Sequence, residues 1–379
     1  MVRPLIEILA EIPDFRKSKG KRHPLSAILG MSCVAMMCGY KSYSAMAEWG
    51  RNYGGKLVKD LGFTHKKTPC AATLHTVFRN IDKQEFEDKL SEWAEGVMSC
   101  DDADDDTDAT SDPDGVSLDG KTLRGSLKQG ATGTHLLSAV SHRLGLTLTQ
   151  QSGDNSTDEL RIIHEALQNL VIEGRVFTMD ALNTQRKTAK TITDGGGDYV
   201  MIVKDNQPRL LDDVKTVFHG PDSHLLHKSS AQSLDIGHGR IEERSLTCSD
   251  ELSDYSNWPG LEQVFQLTRK TTIKKTEKVR EETIYGVTSL TTEQADPERL
   301  LEFVRCHWHI ENRSFWVRDV TFDEDRSQVR CGAIPQVMAA LRNLVIGLMR
   351  WLGYTNIAAA CRCFAARPWD ALEAVGIRH

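Results

Sequence analysis

None of the nine cysteines (33, 38, 70, 100, 248, 306, 331, 361 and 363) stands in a CxxC pair of zinc-ribbon spacing. An odd number of scattered thiols reads as reduced and cytosolic, not as a disulfide framework. No apolar run reaches the roughly 20 residues that span a bilayer. The longest uncharged stretch, Leu25 to Tyr40, has 16 residues and includes Ser, Gly and Cys. It follows the basic stretch Lys17 to His23 and superficially copies a signal peptide, but it starts too late, so a buried helix and no membrane partner are expected. There are no internal repeats. Residues 101 to 114 (DDADDDTDATSDPD) hold eight Asp and no base, a composition that cannot bury itself.

What is present is an ordinary globular mixture, 40% hydrophobic and 26% charged over 379 residues. At about 150 residues per domain that length suggests two or three domains. The net charge of −6 argues against nucleic acid only as an average. Without the Asp tract the rest of the chain stands at +2, and residues 1 to 79 carry thirteen Lys/Arg against five Asp/Glu, a balance of +8. A basic unit of that kind suits a phosphate backbone.

Residues 1–99 read as a small, basic, all-helical domain expected to bind DNA. Phe86, Leu90, Trp93 and Val97 share one helical face in 82–98, and Leu74, Val77 and Phe78 form the apolar side of 71–80. Residues 100–115 form an acidic linker. From 116 to 352 the pattern is α/β, opening β-β-β-α-β-α-β: strands at 116–119, 136–144 and 146–150, joined at Gly145, a helix capped by Ser156-Thr157, then a strand at 176–179, a helix at 184–193 and a strand at 199–203. This order occurs in ribonuclease-H-like folds. A β-rich insertion is expected at about 205–295, with strands at 240–248, 264–273 and 283–290. Asp296-Pro297 then opens a long helix through about Val317, an apolar helix covers 333–352, and 353–379 is a C-terminal tail.

Gly115 to Thr122 satisfies G-x-x-x-x-G-K-T, the phosphate-binding loop of nucleotide hydrolases. That loop needs a strand before it and a helix after it, and here the intervening residues themselves read as the strand. Carboxylates are more informative. Asp119 and Asp180 each end a strand, so two acids can meet at one sheet edge, and Glu311 lies on the helix after the insertion. A strand-terminal Asp also commonly caps a turn. Three converging carboxylates call for a hard cation, magnesium or manganese, and two such ions suit phosphodiester chemistry. His307, Glu311 and Arg318, offset by four and seven, form one helical stripe. Cys306, His307 and His309 also raise a zinc reading, which the divergent directions of 307 and 309 disfavour.

LDGKTLRGS at 118–126, TMDALNTQ at 178–185, GGDYVMIVKDNQP at 196–208, and HWHIEN with WVRDVTFDED at 307–325 together resemble the DDE transposases of bacterial insertion sequences. The branch with the H-repeat-associated proteins is most similar. The resemblance implies a ribonuclease-H-like catalytic domain with Asp119, Asp180 and Glu311 as its catalytic and metal-holding groups and two Mg2+ or Mn2+ ions. It further implies metal-dependent cleavage and strand transfer on double-stranded DNA, at the element's terminal repeats and in target DNA, by a homo-oligomer in the cytoplasm. The superfamily pattern Tyr-x2-Arg-x3-Glu-x6-Lys falls on Val304, His307, Glu311 and Arg318, retaining only the Glu. His307 and Arg318 are then expected to contact phosphate, with Lys121 and Arg124 beside the first acid. Asp319, Glu324 and Asp325 are rivals for the third acid, and Ser156 stands where many relatives carry Lys. Six bases in 269–280, among them Lys274 and Lys275, are expected to track DNA, the alternative being a solvated hairpin. The Asp tract is expected to be a tether, in preference to a DNA mimic. An inactive, domesticated DNA-binding derivative and a nuclease without strand transfer are the competing functions.

Overall fold

The computed structural model describes residues 2–18, 21–57, 59–104, 113–124, 134–153, 159–237, 239–253 and 257–377. Residues 105–112 of the Asp tract and the Ser156-Thr157 cap lie outside them. The chain divides into two compact units that do not follow the sequence blocks. Unit 1 comprises Met1–Asp112, Gly120–Ile162 and Ile310–His379, and unit 2 comprises Pro113–Asp119 and Ile163–His309.

In unit 1 the N-terminal helices are α1 (Leu5–Glu11), α2 (Leu25–Met37), α3 (Tyr43–Leu57), α4 (Ala71–Asn80) and α5 (Lys83–Asp104). They share the unit with later segments and do not form a body of their own. The uncharged run becomes α2, buried on nearly every side. Helix α5 runs past the expected end at 98 and takes in the first Asp residues of the tract. Strands β2 (His135–Ser141) and β3 (Thr147–Gly153) pair antiparallel around Gly145, whose φ of +63° is left-handed. After two π-helical segments, Ile310–Phe315 and Val317–Thr321, come α10 (Ile334–Trp351), α11 (Ile357–Ala366) and α12 (Pro368–Ala374). The expected tail is therefore largely helical. Helix α10 is the unit's centre, packing on α2, α4, α5, α11 and β3. No described helix is long and apolar enough to cross a membrane.

Strand β1 (Gly115–Thr122) crosses the division: its first five residues belong to unit 2 and its last three to unit 1. Unit 2 also holds β4 (Val176–Met179), α7 (Arg186–Asp194), β5 (Asp198–Val203), α8 (Pro208–His219), β6 (Ser229–Gly237), β7 (Arg240–Ser249), β8 (Gln263–Ile273), β9 (Val279–Thr288) and α9 (Pro297–His307). Helix α6 (Glu159–Gln168) precedes β4. Strand order in unit 2 is β1-β4-β5-β9-β8-β7-β6, the first three parallel and the rest antiparallel. The stretch expected as an insertion thus extends the sheet, because β9 pairs directly with β5, Val200 opposite Thr288 and Val203 opposite Tyr285. Its first strand, β6, is mostly exposed and too polar to announce itself in the sequence.

Alternation along these strands decides what covers them. Val176, Val200, Leu246, Cys248, Phe265 and Leu267 point to one face and close a core with Leu300, Leu301, Phe303 and Val304 of α9. Tyr285, on the other face, meets His219 of α8. A side chain at Gly286 would stand 2.1 Å from the Phe265 ring across the ladder, so the glycine admits the phenyl group.

Candidate active site

Strands β1 and β4 run parallel with Gly115 opposite Val176 and Leu118 opposite Met179. The next residue on each is an acid, Asp119 or Asp180, and both are half-buried. Asp119 and Asp180 are therefore the residues that follow the last registered pair, at the same end of the two neighbouring strands. Asp119 does not end its strand as expected, since β1 continues to Thr122. With side chains alternating along β1, Asp119 shares a face with Ser117, the partner of Thr178 on β4. That is the face α9 covers: Thr178 Oγ1 lies 3.0 Å from His307 Nδ1, and Ser117 Oγ donates to the His307 carbonyl at 3.3 Å.

The loop after Asp180 is held from two sides. Asp180 Oδ1 accepts from the amides of Leu182 at 3.1 Å and Asn183 at 3.4 Å, the turn-capping role open to such an Asp. Asn206 Nδ2 donates to the Ala181 carbonyl at 2.5 Å, and Gln207 Nε2 to the Thr184 carbonyl and Gln185 Oε1, each at 3.1 Å. The residues after β5 therefore pin the Asp180 loop. Asn206 and Gln207 were not among the expected site residues, although their position one turn beyond a strand end was the available signal.

Glu311 lies in unit 1, exposed, as the second residue of the first π-helical segment. The stripe of 307, 311 and 318 assumed a 3.6-residue period along one helix. The α-helix ends at His307, and the following i→i+5 turns change the angular spacing, so Glu311 is exposed while Arg318 is fully buried.

Arg318 is consequently a correction to the phosphate-contact set. Its Nε donates to Glu324 Oε2 at 2.8 Å, and Arg342 Nη1 donates to Glu324 Oε1 at 3.0 Å. Lys121 belongs to the same group, paired with Asp319 and 3.4 Å from Glu324. Burial alone would raise the Glu324 carboxyl, but Arg318, Arg342 and Lys121 outweigh it and hold the group at about 2. Glu324 is thus an internal counter-ion, which removes the reason to place it among the rivals for third acid. His307 is also corrected: burial lowers its imidazole to about 4, so at neutral pH it carries no charge for a phosphate. Arg124 is largely exposed, 3.7 Å from Asp325. Lys274 and Lys275 are exposed at the β8–β9 turn, whereas Arg269 pairs with Glu282 at 2.7 Å and Lys270 reaches Glu243 at 4.0 Å.

The G-x-x-x-x-G-K-T match is a strand throughout, without the loop-to-helix geometry that cradles phosphate. Among the described residues no three His, Cys, Asp or Glu side chains gather as a metal cluster, so neither the zinc set nor a closed three-acid set is formed. Asp119 and Asp180 offer hard oxygen donors of the kind a divalent ion takes.

The pattern described as Transposase DDE domain matches residues 110–348, and that described as DDE_Tnp_1-associated matches residues 6–94. Protein YbfL of Escherichia coli K12 is 29% identical over 358 residues, covering 92% of this chain and 90% of YbfL. The transposase-named, H repeat-associated YhhI of the same strain is 28% identical with the same coverage. A solved piggyBac transposase synaptic complex with hairpin DNA aligns with 97% of this chain and 76% of its own at TM-score 0.44 and 8% identity. The chain belongs to the DDE-domain transposases, in the branch that includes the H repeat-associated proteins.

Proposed function

We propose that this transposase cleaves double-stranded DNA at the terminal repeats of an insertion sequence and transfers the freed strand to target DNA, with Asp119, Asp180 and Glu311 as its catalytic acids. The carrying observation is the β1–β4 register, whose last pair, Leu118 opposite Met179, is followed in each segment by an acid, Asp119 or Asp180. The parallel order β1-β4-β5 in unit 2 supports a ribonuclease-H-like reading. Carboxylate oxygens of the three acids would hold magnesium or manganese, which when bound supplies activation of the attacking oxygen and stabilisation of the leaving oxygen. The protein's own part is positioning. Ser117 and Thr178 seat His307 and the end of α9 on the acids' face, and Asn206 and Gln207 hold the Asp180 loop. Neutral His307 serves as an anchor and not as a phosphate cation. Arg124, Lys274, Lys275 and the basic N-terminal segment are the proposed DNA contacts, in a homo-oligomer assembled on DNA in the cytoplasm.

The test is the full chain with magnesium and a labelled duplex carrying the inverted repeats that flank its gene. Nicking at the repeat ends and joined products are expected. Asp119→Asn, Asp180→Asn and Glu311→Gln should each abolish both while DNA binding persists. If Glu311→Gln cuts normally and Asp319→Asn or Asp325→Asn does not, the third acid is misassigned. Binding without cutting by the wild-type chain would mark an inactive derivative, and cutting without joining a simple nuclease.

A further inference from the structure

Unit 1 contains a cleft of about 770 Å³ whose lining includes Lys41, Arg143, Arg313 and Arg350 and no Asp or Glu. Ordinary protein surface mixes both signs, and like charges brought close together raise one another's energy. Lys41, Arg313 and Arg350 pair with no carboxylate among the described residues. Arg350 is the most committed of them. It donates to the Arg313 carbonyl, while its Nε is buried without a hydrogen-bond partner. Burial and the neighbouring Arg313 lower its pKa to about 10, leaving it charged at neutral pH. The β2–β3 turn is shaped around it: a side chain at Gly145 would approach the Arg350 Cδ and Nη1 to 3.1 Å. Arg313 is fixed in turn by donating to the His142 carbonyl at 3.3 Å. Two guanidinium groups are therefore preplaced, and the exposed Lys41 and Arg143 stand at the same cleft.

The other lining groups narrow the ligand. Trp316 is 56% exposed, an unusual cost in water for so large an apolar ring unless something flat covers it. A positive groove with an aromatic platform is the arrangement that takes single-stranded nucleic acid, phosphates on the cations and a base on the ring. The volume lies within the 300–1,000 Å³ typical of small-ligand pockets. Trp316, Asn312 and Arg313 also belong to the segment that carries Glu311.

We propose that this cleft binds an unpaired DNA strand, with its phosphodiesters on Lys41, Arg143, Arg313 and Arg350 and a base against Trp316. This rests on the reading of the chain as a DNA-cutting transposase and adds to it a strand-holding site distinct from the Asp119–Asp180 pair. The experiment measures binding of a labelled single-stranded 15-mer to the full chain over a range of salt concentrations, without a divalent cation. Lys41→Gln/Arg143→Gln removes two exposed cations, and its salt slope should fall by about 1.4, from roughly 0.7 per single-strand phosphate contact. Trp316→Ala, also exposed, should weaken binding about tenfold, within the range for one base–aromatic stack. Unchanged affinity and slope in both variants would overturn the proposal, as would displacement of the 15-mer by inorganic tripolyphosphate with Trp316→Ala silent, the mark of a small-anion pocket. Because binding is read without cutting, failure here leaves the proposed cleavage standing. Loss of binding in the cleft variants of a wild-type chain that never cuts would sustain the cleft and refute the cleavage.

Discussion

Glu87 is an acid placed where a neutral group is wanted. It is buried on α5, accepts a hydrogen bond from Gln150 Nε2 at 2.9 Å, and Gln150 Oε1 in turn accepts from Asn343 at 2.8 Å. Burial pushes the Glu87 carboxyl up to about 8, more than the Gln150 hydrogen bond offsets. A folded-state value above the ordinary 4.5 means the fold favours the protonated form. The associated stability is complete below about 4.5 and is lost as pH rises through about 8. Glu87→Gln keeps an acceptor for Gln150 and discards the ionisation. It should match the wild type in urea midpoint near pH 4 and exceed it by roughly 4 kcal/mol at pH 8, from 1.36 kcal/mol per unit over the interval between 4.5 and about 8. An equal difference at both pH values would show that the proton is not the cause. Nothing in the spacing of 82–98 distinguished Glu87 from solvent-facing acids on the same helix, since its surroundings come from β3 and α10.

At the scale of elements, the π-helical stretch after α9 separates what a period can reveal from what it cannot. The helix start was legible because Asp296 caps it, accepting from the Arg299 amide at 2.9 Å, with Pro297 in the first turn. Its early end at His307 was not, since the following turns lead Arg318 into a buried group with Glu324 and with Arg342, which comes from α10. Glu324→Gln would leave two buried guanidinium groups short of their counter-charge and should cost about 3–5 kcal/mol in urea melts at neutral pH. The folded value of about 2 lies below the ordinary 4.5, so this contribution is present above about 4.5 and lost as pH falls toward 2. The gap between wild type and variant should therefore shrink through that window. A gap that persisted to pH 2.5 would mean that shape, not charge, is what Glu324 supplies.

Across the whole molecule, charge placement carries more information than its sum. The −6 total conceals the Asp tract, the +8 N-terminal segment and a basic run at 269–280 that the structure divides. Arg269 and Lys270 face acids on neighbouring strands, while Lys274, Lys275, Lys278 and Arg280 remain exposed at and beside the β8–β9 turn. Lys274→Gln/Lys275→Gln should lower the salt slope of duplex binding by about 0.9 for each phosphate contact removed. An unchanged slope would make the turn a solvated hairpin, the other reading of a charge run.

By itself the sequence determined the family, through four ordered motifs, and the type and approximate position of most strands and helices, because apolar periodicity and capping are local. It also marked Asp119 and Asp180, since an acid just after an apolar strand is visible without a fold. Only tertiary structure decided which charged groups are available. Lys121, His307 and Arg318 look like DNA contacts as letters, yet each faces inward, because desolvation and pairing depend on neighbours brought from distant segments. The same dependence united Lys41, Arg143, Arg313 and Arg350 around one cleft, a grouping that no spacing along the chain could have announced.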